Sequence, residues 1–111
     1  MEIHEHRQGA VTIVSPIGPL VETDAPVFRA RIEAVAERSL GRLVLDLGSV
    51  AYVDSVGLEC LMKTAESTGR AGECLKVCGV NDTIREVLDL TDLSPLFEFF
   101  SNQTDAVRSF L

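Results

Sequence analysis

An Asp-Ser pair, Asp54-Ser55, stands between an apolar run, Leu43-Val44-Leu45-Asp46-Leu47, and a segment with helical periodicity. Two uses of a hydroxyl at that place follow from the residues. Asp54 or Ser55 can cap the helix, because both types satisfy the orphan N–H groups of a first turn. The same N–H groups and the helix dipole also favour an anion, so the position suits a phosphoserine. Nucleophilic catalysis has less support. Position 53 is Val, so Ser55 is outside a G-x-S-x-G elbow. The two histidines, His4 and His6, lie at the far end of the sequence. No glycine-rich phosphate loop of the P-loop or dinucleotide type is present. The chain therefore reads as a non-enzyme that needs no cofactor.

Other chemistry-bearing residues read as structural. His4 and His6 are two apart on an expected strand and would face the same way, with Glu2 and Glu5 as the nearest further ligands. A solvated edge strand explains them better than a metal site does. Cys74 and Cys78, four apart on one expected strand, would be separated by about 13 Å, too far for a disulfide. Both, with Cys60 in the helix after Ser55, read as small buried thiols. Asp46 near a strand end could be the acceptor of a receiver domain. Such a domain also needs an acidic pair after its first strand and a late lysine, and no Lys follows Lys76.

The elements that would position Asp54 and Ser55 can be read along the chain. Residues 2–7 and 10–15 read as strands joined at Gln8-Gly9, a hairpin turn in which Gly takes positive φ. Pro16-Ile17-Gly18-Pro19 is expected to break regular structure. Thr23-Asp24-Ala25-Pro26 opens a helix with a capping side chain, and Phe28, Ile32, Val35 and Ala36 give it one apolar face through about Arg38. Gly41 is the expected stop. Leu43 to Leu47 reads as a strand covered on both faces. From Ser55 to about Thr68, Leu58, Leu61, Met62 and Ala65 share a face, with Gly69 and Gly72 bracketing the exit. Cys74 to Cys78 is a further strand. Asn81 or Asp82 caps a helix carrying Ile84, Val87 and Leu88. After Pro95 comes an apolar run, Leu96 to Phe100, and Thr104 or Asp105 opens a last helix ending near Leu111. This alternation predicts an α/β fold: a small mixed sheet, an N-terminal hairpin plus parallel crossovers, with about four helices on one side.

Composition limits the functional classes. The 111 residues fit one domain, and 46% of them are apolar, enough for a core. A net charge of −7 disfavours direct nucleic-acid binding, and no polybasic patch would attract anionic lipid. No stretch is apolar for long enough to span a bilayer, so no membrane insertion is expected. The N-terminus lacks the apolar core of a signal peptide. Three cysteines without framework spacing fit reduced thiols. The expected location is cytoplasmic.

The run LVLDL, GSVAYV, DSVGL resembles the STAS domains, and in particular the bacterial anti-sigma factor antagonists, which carry an Asp-Ser-x-Gly-Leu motif after a buried strand. The likeness extends over roughly residues 2–110 in element order and in the apolar region from Leu93 to Phe100, so residues 1–111 are expected to form a single STAS domain. The resemblance implies that Ser55 is the phosphoacceptor, and that Asp54, Ser55, Val56, Gly57 and Leu58 form the partner-binding surface. It implies a partner that is both an anti-sigma factor and a serine protein kinase, bound while Ser55 is unmodified and released on phosphorylation. Gly57 would keep the first turn bare so that the partner can approach closely. Two departures stand out. Val56 replaces the second serine of the usual Asp-Ser-Ser-Gly, and Gly18-Pro19-Leu20-Val21 replaces the usual Gly-Glu-Leu-Asp, removing acidic residues from a region that family partners often touch. A non-switching scaffold subunit, for example beside an ATP-binding subunit of a lipid transporter, is the alternative that the same resemblance allows.

Overall fold

The computed structural model describes residues 1–68 and 73–111. The elements, in order, are β1 (Glu2–Gln8), β2 (Val11–Ile17), α1 (Ala25–Arg38), β3 (Leu43–Asp46), α2 (Ser55–Thr68), β4 (Leu75–Cys78), α3 (Asp82–Leu90), a 3-10 turn (Ser94–Leu96), β5 (Phe97–Phe100) and α4 (Gln103–Arg108). The expected exit of α2 at Gly69 and Gly72 lies outside the described residues.

The five strands form one sheet in the order β1-β2-β3-β4-β5. β1 and β2 are the predicted hairpin, antiparallel from Glu2↔Ile17 to Gln8↔Val11, with Gly9 at φ +62° in the turn. The pairings β2–β3, β3–β4 and β4–β5 are parallel. A mixed sheet with parallel crossovers therefore stands as predicted.

Pro16 does not end the second strand, which continues to Ile17. The reason lies in the strand's alternation. The N–H groups of Thr12 and Gly18 both point away from β1, to Arg42 O at 2.9 Å and Ser49 O at 3.0 Å. Residue 16 shares that side, and the pairing with β3 has already ended at Val14↔Leu45. The missing N–H of proline therefore costs the ladder nothing.

Val14, Leu45 and Val77 lie side by side on one face of the sheet. Phe28, Ile32 and Val35 of α1, Leu61 and Ala65 of α2, and Ile84 and Leu88 of α3 bury them. Burying each large side chain fully is worth about 1.5–3 kcal/mol. The helices do not all lie on this side. Val11, Ile13, Val44 and Cys78 pack with Ala106 of α4 in a second cluster flanked by Phe100, Val107 and Phe110. α4 thus covers the opposite face, because Ile13 and Val44 are as apolar as their neighbours and also need burial. α4 starts at Gln103, slightly earlier than Thr104 suggested. Asn102 is its cap, its side chain accepting from the Asp105 N–H at 2.9 Å. At the start of α1, Asp24 occupies the cap position without a side-chain capping bond. Cys60 and Cys78 are buried as predicted, but Cys74 is exposed. It precedes β4, and its Sγ lies 3.2 Å from the Pro95 carbonyl oxygen.

Candidate functional site

The site sits where the chain leaves β3 and enters α2. Ser55 is the first residue of α2 and is exposed; Val56 beside it is 37% exposed, and Tyr52 is 53% exposed in the approach. A hydroxyl and two apolar side chains therefore face solvent together at a helix N-terminus. Leu58, one residue beyond the buried Gly57, is half-buried against the core.

Asp54 is the hub beneath Ser55. Its Oδ1 accepts from the Gly57 N–H at 2.7 Å, the capping bond that the residue types predicted. Its Oδ2 accepts from the Glu22 N–H at 3.0 Å, a bond no local pattern revealed. The Gly57 N–H is the main cause holding the Asp54 carboxyl below its ordinary range, against some desolvation, and the Glu22 and Val56 N–H groups assist. Asp54 is thus an anion with both oxygens engaged by backbone donors.

The segment holding Pro19 and Val21 runs directly alongside. Leu20, fully buried, donates its N–H to Tyr52 O at 3.1 Å and accepts from the Asp54 N–H at 3.3 Å. Leu20 and Val53 form an isolated parallel bridge. Pro19 and Val21 therefore flank the residue that locks this segment to the Ser55 loop.

Gly57 has a different task from the one predicted. It is buried, and a Cβ built on it would stand 2.1 Å from the Leu20 carbonyl oxygen and 2.9 Å from the carbonyl carbon. The backbone that comes close to Gly57 belongs to the chain's own Leu20. Glycine is required there because the first turn of α2 packs directly on main chain.

Asn81 supports the loop from the other side. Its Oδ1 caps α3 by accepting from the Ile84 N–H at 2.8 Å, as its type and place predicted. Its Nδ2 donates to the Ala51 oxygen at 2.9 Å, and lies 3.4 Å from that of Val50. The capping half was legible in the sequence. The donor half joins residues 30 and 31 positions apart and was not. Asp46, raised above only as a receiver acceptor, is spent structurally: it accepts from the Gly48 N–H at 2.8 Å and from Gln103 Nε2 at 2.6 Å.

His4 and His6 lie on the edge strand β1, and both are exposed. His4 Nε2 is 2.9 Å from Glu2 Oε1, whereas Glu5 turns to Arg31 and Arg38. Among the described residues, no three His, Cys, Asp or Glu side chains are grouped to hold a metal ion.

The sequence pattern of the STAS domain family matches residues 3–106. The chain belongs to the STAS domain family. It is 28% identical over 104 residues to an anti-sigma F factor antagonist of Paenibacillus polymyxa, covering 93% of this chain and 88% of that protein. The crystal structure of an anti-sigma factor antagonist from Mycobacterium paratuberculosis superimposes with a TM-score of 0.83 at 29% identity, covering 97% of this chain and 92% of that one. The Bacillus cell fate determinant SpoIIAA in its phosphorylated form shares the fold with a TM-score of 0.70 at 13% identity, covering 99% of this chain and all of that one. The five-stranded mixed sheet and the four helices are thus those predicted, with α4 on the face opposite the others, and the run Asp54–Leu58 falls at the β3–α2 junction.

Proposed function

We propose that this chain is an anti-sigma factor antagonist that docks, through the surface around Ser55, on an anti-sigma factor that is also a serine kinase. Phosphorylation of Ser55 ends the docking. One observation carries this reading: Ser55 is exposed at the first position of α2, above an Asp54 cap whose two oxygens are already engaged by backbone N–H groups. The names of the relatives at 28% and 29% identity agree with it. The SpoIIAA fold, solved with its phosphate, indicates that such a framework tolerates one.

The physics of the switch follows from the site. A phosphate adds about −1.5 to −2 charge. The α2 dipole favours that charge, and the adjacent Asp54 carboxylate opposes it. Because Ser55 points to solvent and contributes nothing to the core, the phosphate changes the surface and leaves the fold in place. A partner packed on Ser55, Val56 and Leu58 then meets a solvated dianion, and desolvating it costs more than the contact returns. In this arrangement Asp54 and Gly57 shape the surface from below.

Binding to the kinase encoded in the same genome tests the reading. Wild type and Ser55→Ala should bind alike, and Ser55→Glu should lose about tenfold or more in affinity, or at least 1.4 kcal/mol. With ATP, the kinase should add one phosphate to wild type, mapped to Ser55 by peptide mass, and none to Ser55→Ala. Equal affinity of the Ala and Glu variants overturns the switch.

A further inference from the structure

The opposite end of the sheet carries a basic groove. It lies where β2 and β3 begin and α1 ends, and is lined by Arg7, Arg38, Arg42, Ser39, Ala10 and Leu40, with Thr12 at its base. Main-chain bonds assemble it. Arg7 is paired across the hairpin with Thr12, the Thr12 N–H donates to Arg42 O at 2.9 Å, and the Arg42 N–H donates to Ser39 O at 3.1 Å. The ends of β1, α1 and β3 are thereby held around one cavity.

Its charge is opposite to that of the molecule. The chain carries −7 overall. Here Arg7, Arg38 and Arg42 line the groove, and Arg31 lies on the other side of the Glu5 carboxylate that Arg38 also meets. Among the described residues, the one carboxylate pairing with any of them is Glu5. Glu5 is shared: Oε2 meets Arg31 Nη1 at 2.9 Å, and Oε1 meets Arg38 Nη2. One carboxylate cannot neutralise two guanidinium groups, and Arg7 and Arg42 form no ion pair among the described residues. A separate irregularity lies at the same place. The Ser39 hydroxyl oxygen is buried with no hydrogen-bond partner, an uncommon cost in a folded chain, and Leu40 takes φ 56° beside it while 66% exposed. Ser39 is itself one of the residues lining the groove.

From this we infer that the groove is a binding site for a phosphate-bearing small molecule. Guanidinium groups hold phosphate oxygens by paired, charge-assisted hydrogen bonds. Arg42 and Arg7 have no competing carboxylate and supply the first of these bonds. Arg38 exchanges part of its bond with Glu5 for the ligand, and Ser39 gains a partner. Ala10 and Leu40 form an apolar rim beside which an organic group can lie. The site is separate from Ser55, which follows the other end of β3, and the inference goes beyond the antagonist reading.

An amide NMR titration of the whole chain tests it, with inorganic phosphate and with ADP as probes and chloride at matched ionic strength as the reference. Saturable shifts confined to residues 7–12 and 38–43 are expected. Saturation by phosphate alone assigns a free oxyanion; tighter binding of ADP assigns a nucleotide; either supports the site. Arg42→Gln and Arg7→Gln should each weaken binding about tenfold, whereas Glu5→Gln, which releases Arg31 and Arg38, should strengthen it. Preserved dispersion of the spectrum separates these effects from misfolding. Shifts that chloride reproduces, no shift with either probe, or undiminished binding by both folded arginine variants overturns the inference. The titration needs neither a partner nor a modified Ser55, so its failure would leave the antagonist reading untouched.

Discussion

The Asp54 carboxylate accepts a hydrogen bond from the backbone N–H of Glu22, 3.0 Å away and 32 positions earlier in the chain. With the 2.7 Å bond from the Gly57 N–H, this makes one side chain both the cap of α2 and the clasp of the segment before α1. The residue next to the proposed phosphoacceptor is therefore primarily architectural.

This clasp depends on pH. The folded-state pKa of Asp54 is lowered, chiefly by the Gly57 N–H. Its contribution to stability is thus fully present above the unfolded-state value and is lost as pH falls through the lower folded value. Chemical unfolding at neutral pH and near pH 3, about one unit below an ordinary aspartate, should show wild type losing more stability than Asp54→Asn. Glu33, Glu59 and Asp89 are shifted in the same direction and leave a common residual slope in both proteins. Identical losses in the two proteins would remove the clasp.

Gly57→Ala should be more disruptive than its size suggests. A methyl group placed 2.1 Å from the Leu20 carbonyl oxygen forces two pieces of main chain apart, and neither can rotate out of the way. Overpacking of this kind costs typically about 1–3 kcal/mol, and the upper end is expected here. Thermal unfolding checks the magnitude, and Leu20 and Tyr52 amide shifts locate the strain. A gain in stability, the usual result of Gly→Ala in a helix, would show that the Leu20 segment yields freely.

Asn81 offers a way to separate its two functions. Asn81→Ala removes the α3 cap and the bond to the loop, with a cost of about 1–2 kcal/mol. Asn81→Asp keeps an acceptor for the Ile84 N–H but sets a carboxylate against the Ala51 and Val50 carbonyls. Hydrogen exchange should show α3 protected and residues 48–54 loosened in the Asp variant, and both loosened in the Ala variant. A loop unchanged in both would mean that the Asn81 amide holds nothing.

The three thiols should separate by reactivity. Cys78 is pushed up to about 12, first by burial and then by the nearby Asp46 charge, and burial also raises Cys60. Only thiolate reacts readily. Timed alkylation followed by peptide mass should therefore modify the exposed Cys74 in the native protein and reach Cys60 and Cys78 only on unfolding. Early labelling at Cys78 would contradict its burial under α4.

Local residue chemistry made much of this molecule legible. Helical periodicity marked α1 and α2, capping types marked Asp54 and Asn81, and the apolar run Leu43 to Leu47 marked the central strand. The failures share a cause. Pro16 reads as a breaker until one sees that its N–H would have pointed toward the end of β3, beyond the last paired residues Val14 and Leu45. Gly57 reads as an opening for another protein until Leu20 is seen to fill it. Cys74 reads as a strand residue because its apolar neighbours continue after it, but pairing begins only at Leu75. α4 reads as a fourth helix on a shared side because its short sequence does not say which sheet face lacks cover. Each depends on what stands opposite in space, and that partner is 20 or more positions away in the first two cases.

The strands also lie in the sheet in the order in which they occur in the chain. During synthesis, each new strand can join the edge left by its predecessor, without inserting between strands already paired. The sheet can thus grow vectorially, and its two faces mature at different times. The face bearing Val14 and Leu45 gains α1 and α2 early. The face bearing Ile13 and Val44 waits for Ala106. A nascent chain halted before α4 emerges would expose that apolar surface to chaperones and to other half-made copies.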